Sequence, residues 1–463
     1  MANINEKKHD METTGRTNFG SRLGVVLATA GSAVGLGNVW RFPYMVGNDG
    51  GAAFIVVYLC CVLFLGIPGM VAEFVVGRAS HTNAARAYRS LSDHPLWGIT
   101  GYVGVITSMI ILGFYAVVAG WCLQYLYASL TEQLQGSKEY VVEYFTTFST
   151  SLFRPAVAAV LFILITHHIV AIGVRGGIER ASKLLMPMLF IILIILVVAS
   201  CLLPGAWGGI TFMLKPDFSR ITRGVLLDAL GQAFFSLSLG TACLTTYASY
   251  FKSNTQLSKS AVNIALIDIL VALLAGMVIF PAAFSVGVRP DAGPSLIFIT
   301  LPNVFQQAFV HLPITGYCIS VLFYALMALA ALTSTISMHE IGTAFFHEEL
   351  HISRKAAAWV VTSVCSIIAI LSALSMAHTE CLQLQGRPLM ECFDYVTAQV
   401  LMPLGSLATC LFVGWVLPKR IVAHQLTNGG TLKSGFAFVF LFVVKYICPI
   451  AIAAIFLHQF GVF

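Results

Sequence analysis

Long stretches of this chain, among them 50–72, 95–131, 155–174, 184–214, 229–251, 260–288 and 395–418, run for twenty residues or more with at most one Asp, Glu, Lys or Arg. Each is long enough to cross a hydrocarbon core of about 30 Å, which takes roughly 20 helical residues. No water reaches that core, so every backbone N–H and C=O must bond within the segment, and helices do this most simply. The balance of residues agrees: 58% are hydrophobic and 10% charged, too few charges to coat a water-soluble globule of this length. The expected fold class is an all-α integral membrane protein.

Eleven spans are expected, near 19–45, 50–78, 98–130, 155–174, 180–203, 225–251, 260–287, 312–347, 356–377, 393–417 and 434–460. Residues 1–18 are polar and read as a cytoplasmic N-terminal segment rather than a cleavable signal peptide. With the N-terminus inside, most Lys and Arg fall in cytoplasmic loops, among them Arg78, Arg86, Arg89, Arg175, Arg180, Lys183, Arg354, Lys355, Lys419 and Arg420. This bias obeys the positive-inside rule. It implies a multi-pass protein of the cell inner (plasma) membrane with an external C-terminus. The net charge of +6 is taken up by that face and calls for no nucleic-acid partner. Most of the eleven cysteines lie in spans, where they behave as small apolar residues. Cys381 and Cys392 lie on or near one outer loop and could pair, although spacing alone does not establish the geometry.

Two spans contain what a plain membrane anchor avoids. The first carries Gly31-Ser32-Ala33-Val34-Gly35-Leu36-Gly37-Asn38 and then Arg41; the sixth carries Phe234-Phe235-Ser236-Leu237-Ser238-Leu239-Gly240. Close helix packing through small residues is one reading. Unwinding is the other, because glycine clusters permit it and the polar side chains sit inside the glycine run. Interrupted helices in corresponding places of two halves point to a transporter's central site. Half-helix N-termini favour a carboxylate, and the freed carbonyls favour a cation.

The stretch RLGVVLATAGSAVGLGNVWR at 22–41 with Phe42-Pro43-Tyr44, GQAFFSLSLG at 231–240, TYASY at 246–250 and ALTST at 331–335 together resemble the signature of the neurotransmitter:sodium symporter family. The absence of a twelfth span is similar to its bacterial eleven-helix amino-acid transporter branch. The resemblance implies a 5+5 inverted repeat with broken helices 1 and 6: residues 19–203, residues 225–417, and an additional helix at 434–460. It further implies sodium-coupled symport of an L-amino acid by alternating access, with no enzymatic activity and no organic cofactor.

Residue roles follow from the same resemblance. One sodium ion would bind the carbonyl of Ala33, the side chains of Asn38, Ser236 and Asp268, and the substrate carboxylate. A second would sit among the carbonyls of Gly31, Val34 and Ala330 and the hydroxyls of Thr333 and Ser334. These are oxygen ligands, as a hard cation prefers. The substrate carboxylate would also meet the helix-1 break at Gly35 and Gly37 and the hydroxyl of Tyr115, with Phe235 and Tyr115 as a lid. Its side chain would lie among Ser32, Ile111, Phe234, Ser238, Thr241 and Met338, a setting suited to a neutral, hydrophobic or aromatic amino acid. Arg41 and Asp394 would pair as an outer gate. Arg16 and Glu348 would pair as an inner gate beneath Phe19, near Tyr250, and Glu73 would brace the broken helices. Gly177 and Pro187 in span 5 either mark a static kink or, as in some bacterial relatives, a segment that unwinds to wet the second sodium site. Tyr58, Gln232 and Ser236 stand where chloride-dependent relatives bind that ion, but Ala272 replaces the serine that completes the site. Asp268 is expected to supply the missing negative charge instead, making transport independent of chloride.

Two other classes are compatible with parts of the chain. His347-Glu348-Glu349-Leu350-His351 matches H-E-x-x-H of zinc hydrolases, with His339, Glu340, His167 and His168 as candidate further ligands. Buried Glu73 and Asp268 would also suit an uncoupled ion channel. Lys445, inside span 11, receives no role.

Overall fold

The computed structural model describes residues 18–288, 296–377, 380–384, 386–432 and 436–459 and is 82% helical. Among the described residues, nine helices are long and apolar enough to cross a membrane: Ala52–Ser80, Pro95–Leu130, Arg154–Ile172, Val174–Cys201, Leu257–Ser285, Pro313–Glu349, Arg354–Met376, Leu389–Val416 and Ala437–His458. A tenth is the pair Arg22–Ala33 and Gly37–Asn48, bent by 54°. The remaining expected span, the sixth, is two short helices, Arg223–Ser236 and Cys243–Ala248, with non-helical backbone between them. These eleven are numbered here in chain order. The interrupted helices are therefore spans 1 and 6, where the polar and glycine residues concentrate.

Local sequence sets the helix ends. Ser21, Thr222 and Ser353 cap spans 1, 6 and 9, each side chain accepting from the backbone N–H three residues on, which satisfies a donor that the helix itself leaves open. Spans 3, 4, 8 and 9 pack on one another as a four-helix scaffold; spans 1 and 5 close against its span 8, and spans 1, 5 and 7 pack against each other. The most apolar window of span 3 is 72% buried and that of span 11 is 28% buried, so span 3 is central and span 11 lies at the rim. Five spans among the described residues also contain a π-helical turn, including Gly37–Arg41 in span 1 and Val174–Glu179 in span 5. Such turns loosen the regular ladder and often accompany functional sites.

Three sequence readings are revised here. Span 8 stops at Glu349, and His351 lies beyond it with φ 53°. The two histidines of the H-E-x-x-H match therefore do not share a helix face; the His347 ring instead bonds the Ile352 carbonyl at 2.6 Å. No group of three or more His, Cys, Asp or Glu side chains among the described residues is placed to hold a metal. Cys381 and Cys392 are both free thiols. Lys445 finds a partner that was not foreseen: its ammonium lies 4.0 Å above the Trp415 ring, whose Nε1 donates to the Lys445 carbonyl at 3.1 Å. The attraction of the cation to the ring face holds spans 10 and 11 together at a lipid-facing rim.

Candidate functional site

The break in span 1 begins where the helix ends at Ala33 and Val34 turns to extended backbone, ψ 111°. Its freed polar groups are met by side chains from span 1 itself and from spans 3 and 8. The Tyr115 hydroxyl of span 3 accepts from Leu36 N at 2.9 Å, and Asn38 Oδ1 accepts from Gly35 N at 3.0 Å. The hydroxyls of Thr333 and Ser334 in span 8 donate to the Val34 carbonyl at 3.1 and 3.2 Å, and Thr333 also reaches the Ala330 carbonyl at 2.9 Å. Gly31 lies beside the same threonine. A side chain at Gly35 would collide with Ser334 Oγ and come within 3.0 Å of the Tyr115 hydroxyl; glycine is what allows these groups to touch the backbone. The result is a compact set of neutral oxygens from Val34, Ala330, Thr333 and Ser334, a donor set suited to a hard monovalent cation.

The break in span 6 is sharper. Ser238, Gly240 and Ala242 all have positive φ, at 54°, 80° and 62°, which costs non-glycine residues roughly 1–2 kcal/mol each. Contacts from elsewhere hold the chain there. The buried Glu73 carboxylate of span 2 accepts from Gly240 N at 2.7 Å and from Thr245 Oγ1 at 3.4 Å. Ser238 Oγ donates to the Ser32 carbonyl at 3.1 Å, tying the two breaks together. Thr241 spends its hydroxyl on the Ser238 carbonyl at 2.7 Å.

Between the breaks lies a second polar centre. Fully buried Asp268 of span 7 accepts from Asn38 Nδ2 at 2.7 Å through Oδ1, and from Ser236 Oγ at 2.7 Å and the Tyr58 hydroxyl at 3.2 Å through Oδ2. Asn38, Ser236 and Asp268 thus meet around one point at the junction of spans 1, 6 and 7, and Ala33 ends the first half of span 1 just before the break. The Tyr58 and Ser236 hydroxyls are both turned onto the carboxylate, Ala272 offers no donor, and the buried Gln232 amide has no partner among the described residues. Ile111, Met338, Tyr115 and Phe235 form an apolar cluster with Phe114 and Met402, the last two missed by sequence reasoning. Phe234 lines a small adjoining cavity with Arg41, Gly231, Phe235 and Met402.

The gates differ from expectation. Arg41 does not pair with Asp394: no ion pair joins them, and the guanidinium instead lies 4.3 Å above the Phe235 ring. An aromatic face takes the cation that the carboxylate was expected to take. At the other end, Arg16 lies outside the described residues. Phe19 stands edge-on to Tyr247 and Tyr250, with centroids 5.9 and 6.0 Å away, while Glu348 accepts from Asn83 N and Nδ2 at 2.8 and 3.0 Å. The Tyr250 hydroxyl donates to Glu340 at 2.7 Å, and Arg354 grips the same carboxylate with both terminal nitrogens. Sequence reasoning weighed Glu340 only as a metal ligand, because its partner is 14 residues away on another helix. Gly177 to Pro187 is wound in this conformation, as a π turn followed by an α-helix that contains the proline.

Removing the Glu73 acceptor should destabilise the break. Glu73→Ala leaves the Gly240 N–H buried and unsatisfied, at a cost of about 1–3 kcal/mol, whereas Glu73→Gln retains an acceptor. Thermal unfolding in detergent should place the alanine variant several degrees below the glutamine variant. Equal melting temperatures for both would contradict the bracing role.

Comparison with known proteins adds an independent line. A model of the sodium:neurotransmitter symporter family matches residues 16–146 and 137–463. An uncharacterized sodium-dependent transporter of Bacillus subtilis is 37% identical over 448 residues, covering 96% of this chain and 98% of that one. The human sodium- and chloride-dependent GABA transporter 2 is 25% identical over 462 residues, covering 89% of this chain and 75% of that one. The crystal structure of MhsT in complex with L-phenylalanine superposes with a TM-score of 0.86 at 38% identity, covering 96% of this chain and 99% of MhsT. With its two broken helices and this match along nearly all its length, the chain belongs to the sodium:neurotransmitter symporter family.

Proposed function

We propose that the protein imports a neutral, hydrophobic or aromatic L-amino acid, with sodium bound at two sites, across the cell inner membrane, its N-terminus inside and its C-terminus outside. The observation that carries this reading is the meeting of two oxygen clusters at one pair of helix breaks. In this reading Ala33, Asn38, Ser236 and Asp268 hold the first ion, and Gly31, Val34, Ala330, Thr333 and Ser334 hold the second. The substrate carboxylate is a further ligand of the first ion and meets Gly35, Gly37 and Tyr115. Its side chain lies against Ile111 and Met338, with Ser32, Phe234, Ser238 and Thr241 nearby. Those residues carry no charge that would match an acidic or basic side chain, and the MhsT neighbour binds L-phenylalanine. The filled sites draw the breaks of spans 1 and 6 together, Phe235 and Tyr115 close over the substrate, and spans 1, 2, 6 and 7 rock against the scaffold. Arg41 and Asp394 then act as outer vestibule charges rather than a closed pair, with Arg16, Glu348, Phe19 and Tyr250 on the inner side.

Uptake of labelled phenylalanine into proteoliposomes should require an inward sodium gradient. Thr333→Val combined with Ser334→Ala removes two hydroxyl ligands and should abolish that uptake in a protein that still folds. Unaltered sodium affinity in the double variant would refute the second site.

Asp268 also supports a reading without chloride. Two sodium ions beside a zwitterion leave excess positive charge in a site shielded from water, and an uncompensated buried charge costs several kcal/mol. Asp268 meets that need from inside the protein and occupies the Tyr58 and Ser236 hydroxyls that a chloride ion would use. Replacing sodium chloride by sodium gluconate should leave wild-type uptake unchanged, while Asp268→Asn is inactive or weakly rescued by chloride. Chloride-dependent wild-type uptake would overturn the counter-charge assignment and leave the transporter assignment standing.

A further inference from the structure

The cytoplasmic start of span 1 is held by a carboxylate that the transport scheme above does not use. Glu179 ends the π turn of span 5 and is 2% exposed. Its Oε2 accepts from Gly20 N at 2.6 Å, and its Oε1 accepts from Ser21 Oγ at 2.9 Å. Ser21 in turn caps span 1 by accepting from Gly24 N at 3.0 Å. A carboxylate at this end also suits the positive N-terminal pole of the helix. Gly24 is bare for the same reason: a Cβ there would run into the Glu179 side chain. The third partner is Lys183, one turn along span 5, at 2.6 Å from Oε1.

The Lys183 contact depends on helical winding, because residues four apart face one another only on a wound helix. The turn that carries Glu179 also contains Gly177 and leads directly into the segment ending at Pro187. If that segment unwinds, Glu179 loses Lys183 and is carried off Gly20 and Ser21 together. The other tie at the start of span 1, Phe19 N to the Tyr250 carbonyl at 3.3 Å, joins it to span 6, which moves with it. The Glu179 contact reaches instead to span 5, outside the moving group.

We infer that Glu179 is a positioning residue that couples winding of span 5 to closure of the cytoplasmic end of span 1, so that both release in one event. Sodium is held by Val34 at the far end of the same helix, so opening of this latch frees the inner pathway. This inference rests on the alternating-access reading above, but its test reads the coupling itself.

Hydrogen exchange of the purified protein, with and without sodium, measures both segments at once. In Glu179→Ala, amides of 18–24 and of 174–187 should exchange faster together, by about tenfold or more. Gly24→Ala keeps the carboxylate but displaces it and should do the same, while Glu179→Gln, which can still accept from Gly20, should lie between the alanine variant and wild type. Equilibrium sodium-dependent phenylalanine binding should stay within about threefold of wild type as turnover in proteoliposomes falls, because the latch biases states without touching the ligand. Faster exchange confined to 18–24, with 174–187 as in wild type, would reduce Glu179 to a cap of span 1 and overturn the inference. Wild-type protein that binds no phenylalanine in sodium would sink the proposed function instead, without altering the exchange result.

Discussion

A backbone N–H or C=O left unpaired in hydrocarbon costs several kcal/mol, and this chain interrupts two helices at bilayer depth. Every other feature of the centre answers that constraint. Leu36 N finds Tyr115, Gly35 N finds Asn38, Gly240 N finds Glu73, and the Val34 carbonyl finds Thr333 and Ser334. The groups that stabilise the breaks come from spans 1, 2, 3 and 8, so the breaks hold the scaffold and the mobile helices in register. They are also groups that a cation or a carboxylate can replace. In the proposed reading, ions and substrate bind there by exchanging internal hydrogen bonds for ligand contacts, which keeps the empty and filled states close in energy.

Charge follows the same logic. Asp268 lies where spans 1, 6 and 7 meet, and three neutral donors from Asn38, Ser236 and Tyr58 surround it. A buried carboxylate with only neutral partners is an anion waiting for a cation. In the proposed reading, the difference from relatives named as sodium- and chloride-dependent is whether the negative charge is carried by the chain or by the medium. Arg41 is the opposite case. It is the cation at the outer end of the same break, and the Phe235 ring lies beneath it.

Much of this was legible in the residues. Glycine and polar side chains inside apolar runs marked the breaks, and ALTST at 331–335 marked the hydroxyls that meet Val34. What stayed hidden has a common cause: partners distant in sequence and chosen by three-dimensional contact. Glu179 and Gly20 are 159 residues apart, and a glutamate near a span end reads as ordinary interface charge. Arg78 likewise grips the backbone carbonyls of Thr255 and Gln425, which no pattern announces. Arg41 and Asp394 form no ion pair in this conformation, where the Phe235 ring lies under the guanidinium, and the H-E-x-x-H match failed because span 8 ends two residues too early. Lys445 resisted assignment because its partner is a ring face on another helix.

The central claim is that ion and substrate share one centre at the helix breaks, and binding linkage tests it most directly. Phenylalanine affinity of the purified protein would be titrated across sodium concentrations, and sodium affinity measured with and without phenylalanine. The account predicts that each ligand tightens the other by the same factor, because coupling between two binding sites is reciprocal. Phenylalanine affinity that is the same in sodium as in choline would contradict it.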